Sequence, residues 1–547
     1  MILKAAALCG WFFFFGAGLY LPTAMAQSGP DDRVFKLGSF DRSSVGFADG
    51  QPKQPVDFTI GQSDPAKDWY AAQPAASISD ASGQEASNKA SAPHAVHFSL
   101  EQPPATAYRL HVALLIESTS VPALRISING KQGTFYPHPH LDYNNGDQWD
   151  SFYPAYSHAD ISFAFPGSYL RKGPNTITMQ AIVDAVVPGA SLTYDAIELD
   201  RDAAPFRAQA SSVHVLPTVF YQQKGELDEL VDVYVRYGEP AKPGSSVDLT
   251  IAGKSYHQPL GGGQDFGEEK IEFAVPEFAG ETHARIAWST DGHREYSEQS
   301  INPKRKWTLF LAPHIHLDVG YSDYQAKVAA IHSHVIDEAL EMTARHPDFR
   351  FSLDGSWPLD QFMKTRTAAQ QQRAIVAIRN QQLFVPADYA NLLTGFPATE
   401  TLIRSLYASA NFSRKHGPPF NYATITDVPS YSWSYASVLS SAGIQALLGG
   451  SNNYRAPVLL QGRLNEDSPI WWVGPDGKKV LLWYSRIYQQ MQMLFGLPPS
   501  LKAGHSTLPL FLQQYEHPGY HAKAVILYGT QVENSDLFPE QAGLAEQ

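Results

Sequence analysis

His314, Ile315, His316, Leu317 and Asp318 bring two imidazoles and a carboxylate into one short run. The run follows the apolar stretch Trp307-Thr308-Leu309-Phe310-Leu311 and precedes a glycine and a helical pattern. Read as a strand end, its alternation turns His314, His316 and Asp318 to one side. Nitrogen and oxygen donors grouped in this way suit a divalent metal, zinc first. The plainer role, two hydrogen-bonded histidines at a sheet rim, needs no metal. The spacing favours metal binding or catalysis.

A carboxylate also follows each of several apolar runs: Asp318, then Asp354, Asp388 and Asp427. Taken singly, each could cap a helix, the commoner fate of Asp at such a junction. Asp427 sits in Thr424-Ile425-Thr426-Asp427-Val428-Pro429-Ser430-Tyr431-Ser432-Trp433, where Pro429 and the serines are set to start the next helix. As a third metal ligand it would complete His316 and Asp318.

The elements that must position these groups begin at Lys304. Val328, Ile331, Val335, Ala339 and Met342 recur at helical spacing after the histidine run. Short apolar runs at 351–353, 383–385, 422–425, 446–448, 480–483 and 525–527 then alternate with helical patterns. That alternation predicts a parallel α/β domain, most simply a barrel, with its chemistry at the C-terminal ends of the strands.

Upstream the pattern is all β. Runs at 108–117, 124–128 and 176–182, with the turn signals Asn129-Gly130 and Gly173-Pro174-Asn175, predict a β-sandwich or jelly roll. Residues 71–92, rich in Ala and Ser, read as a mobile loop. Regularly spaced runs at 230–235, 247–251, 271–275 and 284–288 predict an Ig-like sandwich acting as a spacer.

The extreme N-terminus reads as a secretion signal over residues 1–26. Lys4 is followed by an apolar stretch with Trp11-Phe12-Phe13-Phe14-Phe15, and Ala24-Met25-Ala26 supplies a small-residue cleavage site. The single cysteine, Cys9, lies inside it, so a cleaved chain has no thiol and any metal must be held by His, Asp or Glu. A net charge of −13 argues against nucleic acid or an anionic membrane as partner.

The sandwich resembles the carbohydrate-binding-like domain of rhamnogalacturonan lyases. The shared elements are Phe35-Lys36-Leu37-Gly38-Ser39-Phe40-Asp41-Arg42, Phe58-Thr59-Ile60-Gly61, Asp68-Trp69-Tyr70, Ile128-Asn129-Gly130, Gly173-Pro174-Asn175 and Tyr194-Asp195-Ala196-Ile197-Glu198-Leu199. The resemblance implies sugar binding, with Trp149, Tyr153 and Tyr156 available to stack on sugar rings or to serve as half-buried sandwich aromatics.

His314-Ile315-His316-Leu317-Asp318-Val319-Gly320-Tyr321 resembles the His-x-His-x-Asp-x-Gly-aromatic motif that opens glycoside hydrolase family 38, the retaining α-mannosidases. Trp471-Trp472-Val473-Gly474-Pro475-Asp476-Gly477 is similar to a second family segment. The resemblance implies zinc held by His316, Asp318 and Asp427, with Asp427 as nucleophile and His314 behind the ligands. His314, Asp354 and Asp388 are further candidates for contact with substrate. The family's acid Asp is replaced within Tyr528-Gly529-Thr530-Gln531-Val532-Glu533-Asn534-Ser535-Asp536, leaving Glu533 as candidate acid/base and Asp536 next. The family's fourth zinc ligand, a downstream His, falls beyond Gln547, which suggests a fragment.

The expected architecture is therefore multidomain: β-sandwich modules at 27–205 and 206–303, then a parallel α/β barrel of the seven-stranded type, incomplete, at 304–547. The expected activity is secreted or periplasmic, zinc-dependent, retaining hydrolysis of α-mannosides or a related axial-2-OH sugar, with an oligosaccharide or polysaccharide as partner. Two rivals stand beside it. A metal-dependent amidohydrolase would recruit further ligands from His416, His505, His517 or His521; a glycan-binding protein with a degenerate barrel would need none.

Overall fold

The computed structural model describes residues 32–546 apart from 51, 53, 78–91, 117, 142–156, 186, 203, 205, 207–211, 291–292, 429, 453–466, 486, 518 and 531–533. The expected signal, most of the Ala/Ser-rich loop, Trp149, Tyr153, Tyr156, Pro429 and Glu533 lie outside the described residues. No helix among the described residues is long and apolar enough to cross a membrane.

Two sheets face each other over the first core. One runs in the order Arg33–Gly38, Ser191–Asp202, Ala107–Ile116, Ser157–Pro166, His140–Leu141. Its partner sheet holds Lys131–Phe135, Ala123–Ile128, Gly173–Val183, His94–Leu100 and Val56–Thr59. Alternate residues point inward, as in Leu110, Val112, Leu114 and Ile116 against Ile177, Met179, Ala181 and Val183, with Trp69 buried among them.

A second core lies between Ser212–Lys224, Glu226–Tyr237 and Phe266–Pro276 on one side and the four-stranded sheet Lys254–Pro259, Ser246–Ile251, Thr282–Thr290, His293–Ile301 on the other. The strands 212–224, 254–259 and 293–301 carry too little apolar alternation to stand out in the sequence; the last two read as largely exposed edges.

The two cores share one sheet, which the sequence does not announce. Phe266 and Gly267 pair in parallel with Gly133 and Thr134, making a nine-stranded sheet that runs through both. Glycine is required at this seam. A Cβ on Gly133 would lie 2.5 Å from Phe266, and Gly267, at φ +112°, would push one to 2.6 Å from the Thr134 carbonyl. The Arg236 guanidinium fastens the seam, bonding Glu268 and the Ser162 carbonyl, while Glu268 also accepts the Tyr136 N–H.

Beyond Lys304 the expected alternation of strand and helix is present. Thr308–Ala312 pairs in parallel with Ala524–Tyr528, Phe351–Ser352 with Leu383–Phe384, and Tyr422–Thr426 with Ala446–Gly450, which pairs in parallel with Lys479–Ser485. Single backbone bonds link these groups: Ser352 N–H to Pro313 C=O at 2.9 Å, and Ala387 N–H to Tyr422 C=O at 2.8 Å. Ile470–Val473 joins antiparallel to Lys479–Ser485 through the Asp476-Gly477 turn. Between Lys479–Ser485 and Ala524–Tyr528 the connection is made by segment 488–491, where Met491 N–H bonds Gly529 C=O at 2.8 Å.

Helix Gln325–Arg345 buries Val328, Val335, Ala339 and Met342, as the spacing predicts, with Ile331 half-buried and Ile336 and Leu340 buried beside them. The same buried stripe contains His332. The C-terminal half also leans on the second core, where His505 of helix Leu501–Gln513 stacks on Phe220 of Ser212–Lys224 at 4.1 Å.

Candidate metal centre and active site

The first strand's ladder ends at Ala312, so the histidine run lies beyond it and strand alternation does not govern its side chains. That corrects the expectation that His314, His316 and Asp318 point one way. His314 is fully buried, its ring 4.3 Å from that of Tyr528, and burial pushes its pKa down to about 4. Its ring also closes the space over Gly529, where a Cβ would meet His314 at 2.7 Å and the Tyr488 carbonyl at 1.8 Å.

His316 turns elsewhere. Its Nε2 lies 3.4 Å from Asp318 Oδ1 and 3.6 Å from Asp427 Oδ2, and the three residues form a group whose ligand atoms all fall within 4.8 Å of one another. Its Nδ1 is 2.9 Å from Asp354 Oδ2 and donates to that carboxylate, which leaves Nε2 facing the two aspartates. Nε2 is buried without a hydrogen-bond partner of ordinary length. Burial alone would lower the affinity of this ring for a proton. The surrounding carboxylates of Asp318, Asp354 and Asp427 outweigh it and hold His316 well above its usual value. A buried nitrogen among three carboxylates is a site short of positive charge, which a divalent cation would supply. The residues fit a metal.

Asp427 owes its position to the backbone. It follows strand Tyr422–Thr426 with φ +64°, its N–H bonded to Gly450 C=O at 2.8 Å, and Asn452 Nδ2 donates to its Oδ1 at 2.7 Å. The helix beyond starts at Trp433 with Ser432 as its N-cap. Asp318 and Asp354 are not caps either, since the following helices are entered through Tyr324 and Ser356. The N-cap explanation therefore fails for the residues of this centre.

Asp354 stands behind His316. It is buried and accepts from His316 Nδ1, Leu317 N–H (3.0 Å), Asn391 Nδ2 (3.0 Å) and Thr426 Oγ1 (2.7 Å). Burial opposes its charge, but the His316 hydrogen bond and the charges of His314 and His316, with Thr426, keep its carboxyl below the usual carboxylate range. Asn391 also accepts the Thr426 N–H at 2.9 Å, tying the shell to the residue before Asp427.

With this geometry in place, the comparison with known families is decisive for one stretch. Residues 306–543 match the model described as glycosyl hydrolases family 38 N-terminal domain. This part of the chain carries a family 38 domain. Residues 33–199 match polysaccharide lyase family 4, domain III, a carbohydrate-binding-like domain. No curated protein matches the sequence. Among solved structures, the chain is similar to an α-mannosidase from Enterococcus faecalis V583 at 16% identity and TM-score 0.33, covering 44% of this chain and 27% of that one. A family 38 glycosyl hydrolase protein from Enterococcus faecalis gives 15% identity and TM-score 0.31, covering 44% and 28%. A GH2 β-galacturonidase from Eisenbergiella tayi gives 11% and 0.19, covering 80% and 81%. The chain thus spans little more than a quarter of the length of the first two.

Within the family 38 domain, not every residue singled out from the sequence joins the centre. Asp388 is buried away from it, accepting the Thr424 N–H at 2.7 Å, and its backbone C=O holds the Ser356 N–H. Asp536 is grouped instead with His334 and Glu338 on the outer side of helix Gln325–Arg345. His416 ends helix Tyr407–His416 and His505 stacks on Phe220, so neither reaches the metal group. Asn391, Asn452, Thr426 and Tyr488, whose ring lies 4.6 Å from that of His316, are site residues that the sequence did not single out. Asn391 and Asn452 follow strand ends just as the aspartates do, which is the one signal that pointed to them.

Asp388 yields a pH prediction. Burial pushes its pKa up to about 7, so in the folded chain it stays protonated where an unfolded chain has already ionised. Below about pH 4 both states are protonated and the group is neutral to stability; between about 4 and 7 only the unfolded chain releases the proton, and stability falls. Asp388→Asn should therefore gain on the parent across that window by on the order of 2–4 kcal/mol. Denaturant titrations near pH 4.5 and 7.5 test this, and a pH-independent difference would refute it.

Proposed function

We propose that residues 304–547 form a zinc-dependent retaining glycosidase, built on a seven-stranded parallel barrel, that acts on α-mannosides or a related axial-2-OH sugar. The convergence of His316 Nε2 with the Asp318 and Asp427 carboxylates carries this reading, and the family 38 match supports it. The β-sandwich at 27–205 is proposed to bind glycan, the sandwich at 206–303 to space it from the barrel, and the chain to be exported through its first 26 residues.

His316, Asp318 and Asp427 would hold the zinc, which when bound supplies a Lewis-acid grip on vicinal ring hydroxyls. Asp427 attacks the anomeric carbon, and Asn452, donating to its Oδ1, fixes the carboxylate's rotation. A second carboxyl roughly 5–5.5 Å from it protonates the leaving oxygen and then activates water. Glu533 is the candidate for that role.

The test is metal analysis of the full chain with an assay on an aryl α-mannoside. About one equivalent of zinc, activity lost to a chelator and restored by zinc, and retention of anomeric configuration are expected. Metal with amidase activity would favour the amidohydrolase instead. Neither metal nor turnover would leave the glycan-binding protein.

A further inference from the structure

Asp318 is held in place by no strand. The ladder ends six residues earlier, at Ala312, and Gly320 beyond it turns the chain at φ +81°. A single side chain from the far end of the domain takes both of its backbone groups. Asn534 Oδ1 accepts the Asp318 N–H at 3.3 Å, and Asn534 Nδ2 donates to the Asp318 carbonyl at 2.9 Å. The same amide oxygen receives His332 Nε2 at 2.7 Å, and the same nitrogen reaches Ser322 Oγ at 2.5 Å. Two acceptor positions and two N–H groups are thus all used, which fixes the orientation of the amide.

His332 explains itself in this arrangement. It occupies the buried stripe of helix Gln325–Arg345, where an aliphatic residue would pack as well. Burial lowers its pKa, so the ring is neutral and serves as an Nε2–H donor whose partner is Asn534. A polar residue is kept in an apolar stripe where it braces the amide that braces Asp318.

We propose that Asn534 is a positioning residue of the metal centre: with His332 behind it, it presents the Asp318 carboxylate beside His316 Nε2. The proposal rests on the metal-centre reading above. Partners that orient a ligand without touching the metal typically set affinity by 10- to 100-fold, and Asn534→Ala is expected to weaken zinc binding by about that factor.

The measurement is zinc affinity of the full chain by competition with a chromogenic chelator, alongside the thermal midpoint of the metal-free protein. Weakened affinity in Asn534→Ala supports the proposal; affinity within about twofold of the parent overturns it. His332→Leu, which removes the shorter of the two donors to Asn534 Oδ1, should weaken binding, and His332→Gln, which can still donate to it, should recover much of the loss. Equal affinities in that pair overturn the proposal even if Asn534→Ala does not fold. Asp318→Ala separates the two levels of argument. If it too binds zinc like the parent, the metal centre is misassigned; if it alone loses zinc, only the role of Asn534 falls.

Discussion

Asp427→Ala is expected to lower kcat/KM on an aryl α-mannoside by about 10⁴-fold or more while the protein stays folded. Two features make the effect large. The residue serves at once as proposed nucleophile and proposed ligand, so one truncation removes the attacking atom and a third of the metal group. It also adopts φ +64°, a region non-glycine residues visit at a cost that functional sites tend to bear. Its side chain is 31% exposed, so removing it opens no cavity in the core. Asp427→Gly sharpens the point. Glycine takes positive φ freely, and its extra freedom in the unfolded chain costs about 0.5–1 kcal/mol, so the two effects roughly offset. The glycine variant should melt near the parent and be inactive. Turnover in that variant would remove Asp427 as nucleophile, whereas a large drop in melting temperature would show that its carboxylate, not its backbone, holds the loop.

The contrast between what the sequence displayed and what it hid follows from the range of the interactions involved. The parallel strands after Lys304 and the buried stripe of Gln325–Arg345 are legible because hydrophobic period is a local property. Asp318, Asp354 and Asp427 stood out because a carboxylate after a strand is conspicuous. Their division of labour was not legible: Asp354 supports the imidazole from behind, and only the folded chain shows that His316 presents Nδ1 to it and Nε2 to the other two. Strand alternation turned His314 to the same side as His316 because it was extended past the last ladder residue. The seam between the two β cores was missed because two paired residues, Phe266 and Gly267 against Gly133 and Thr134, join segments more than a hundred positions apart. The asparagines escaped notice for a related reason. An amide has no periodicity and acquires a role only from partners that are distant in sequence, as Asn534 does from Asp318.

Asp354 offers the second large effect, because it divides the centre's structural requirements from its electrostatic ones. Asp354→Ala strips partners from His316 Nδ1, Leu317 N–H, Asn391 Nδ2 and Thr426 Oγ1 at once, all around a carboxylate only 1% exposed. Breaking such a buried, charge-assisted network costs about 3–5 kcal/mol, and denaturant unfolding of the metal-free chain should show it. Asp354→Asn is the finer probe. Its amide oxygen can occupy the place of Oδ2 and keep the donors from His316 and Leu317, while Thr426 Oγ1 turns to accept from the new amide nitrogen. Most of the fold should survive, and the His316 tautomer with it. What disappears is the negative charge that makes Nε2 a stronger donor toward a cation, so zinc affinity should fall by about 10- to 100-fold with a much smaller loss of stability than in the alanine variant. If the asparagine variant held zinc as tightly as the parent, the charge behind His316 would have no part in metal binding, and hydrogen-bond geometry alone would account for the aspartate. If the alanine variant lost less than about 1 kcal/mol, the four donors would have found other partners, and the close fit of this shell would not be what orders the loops around Asp427.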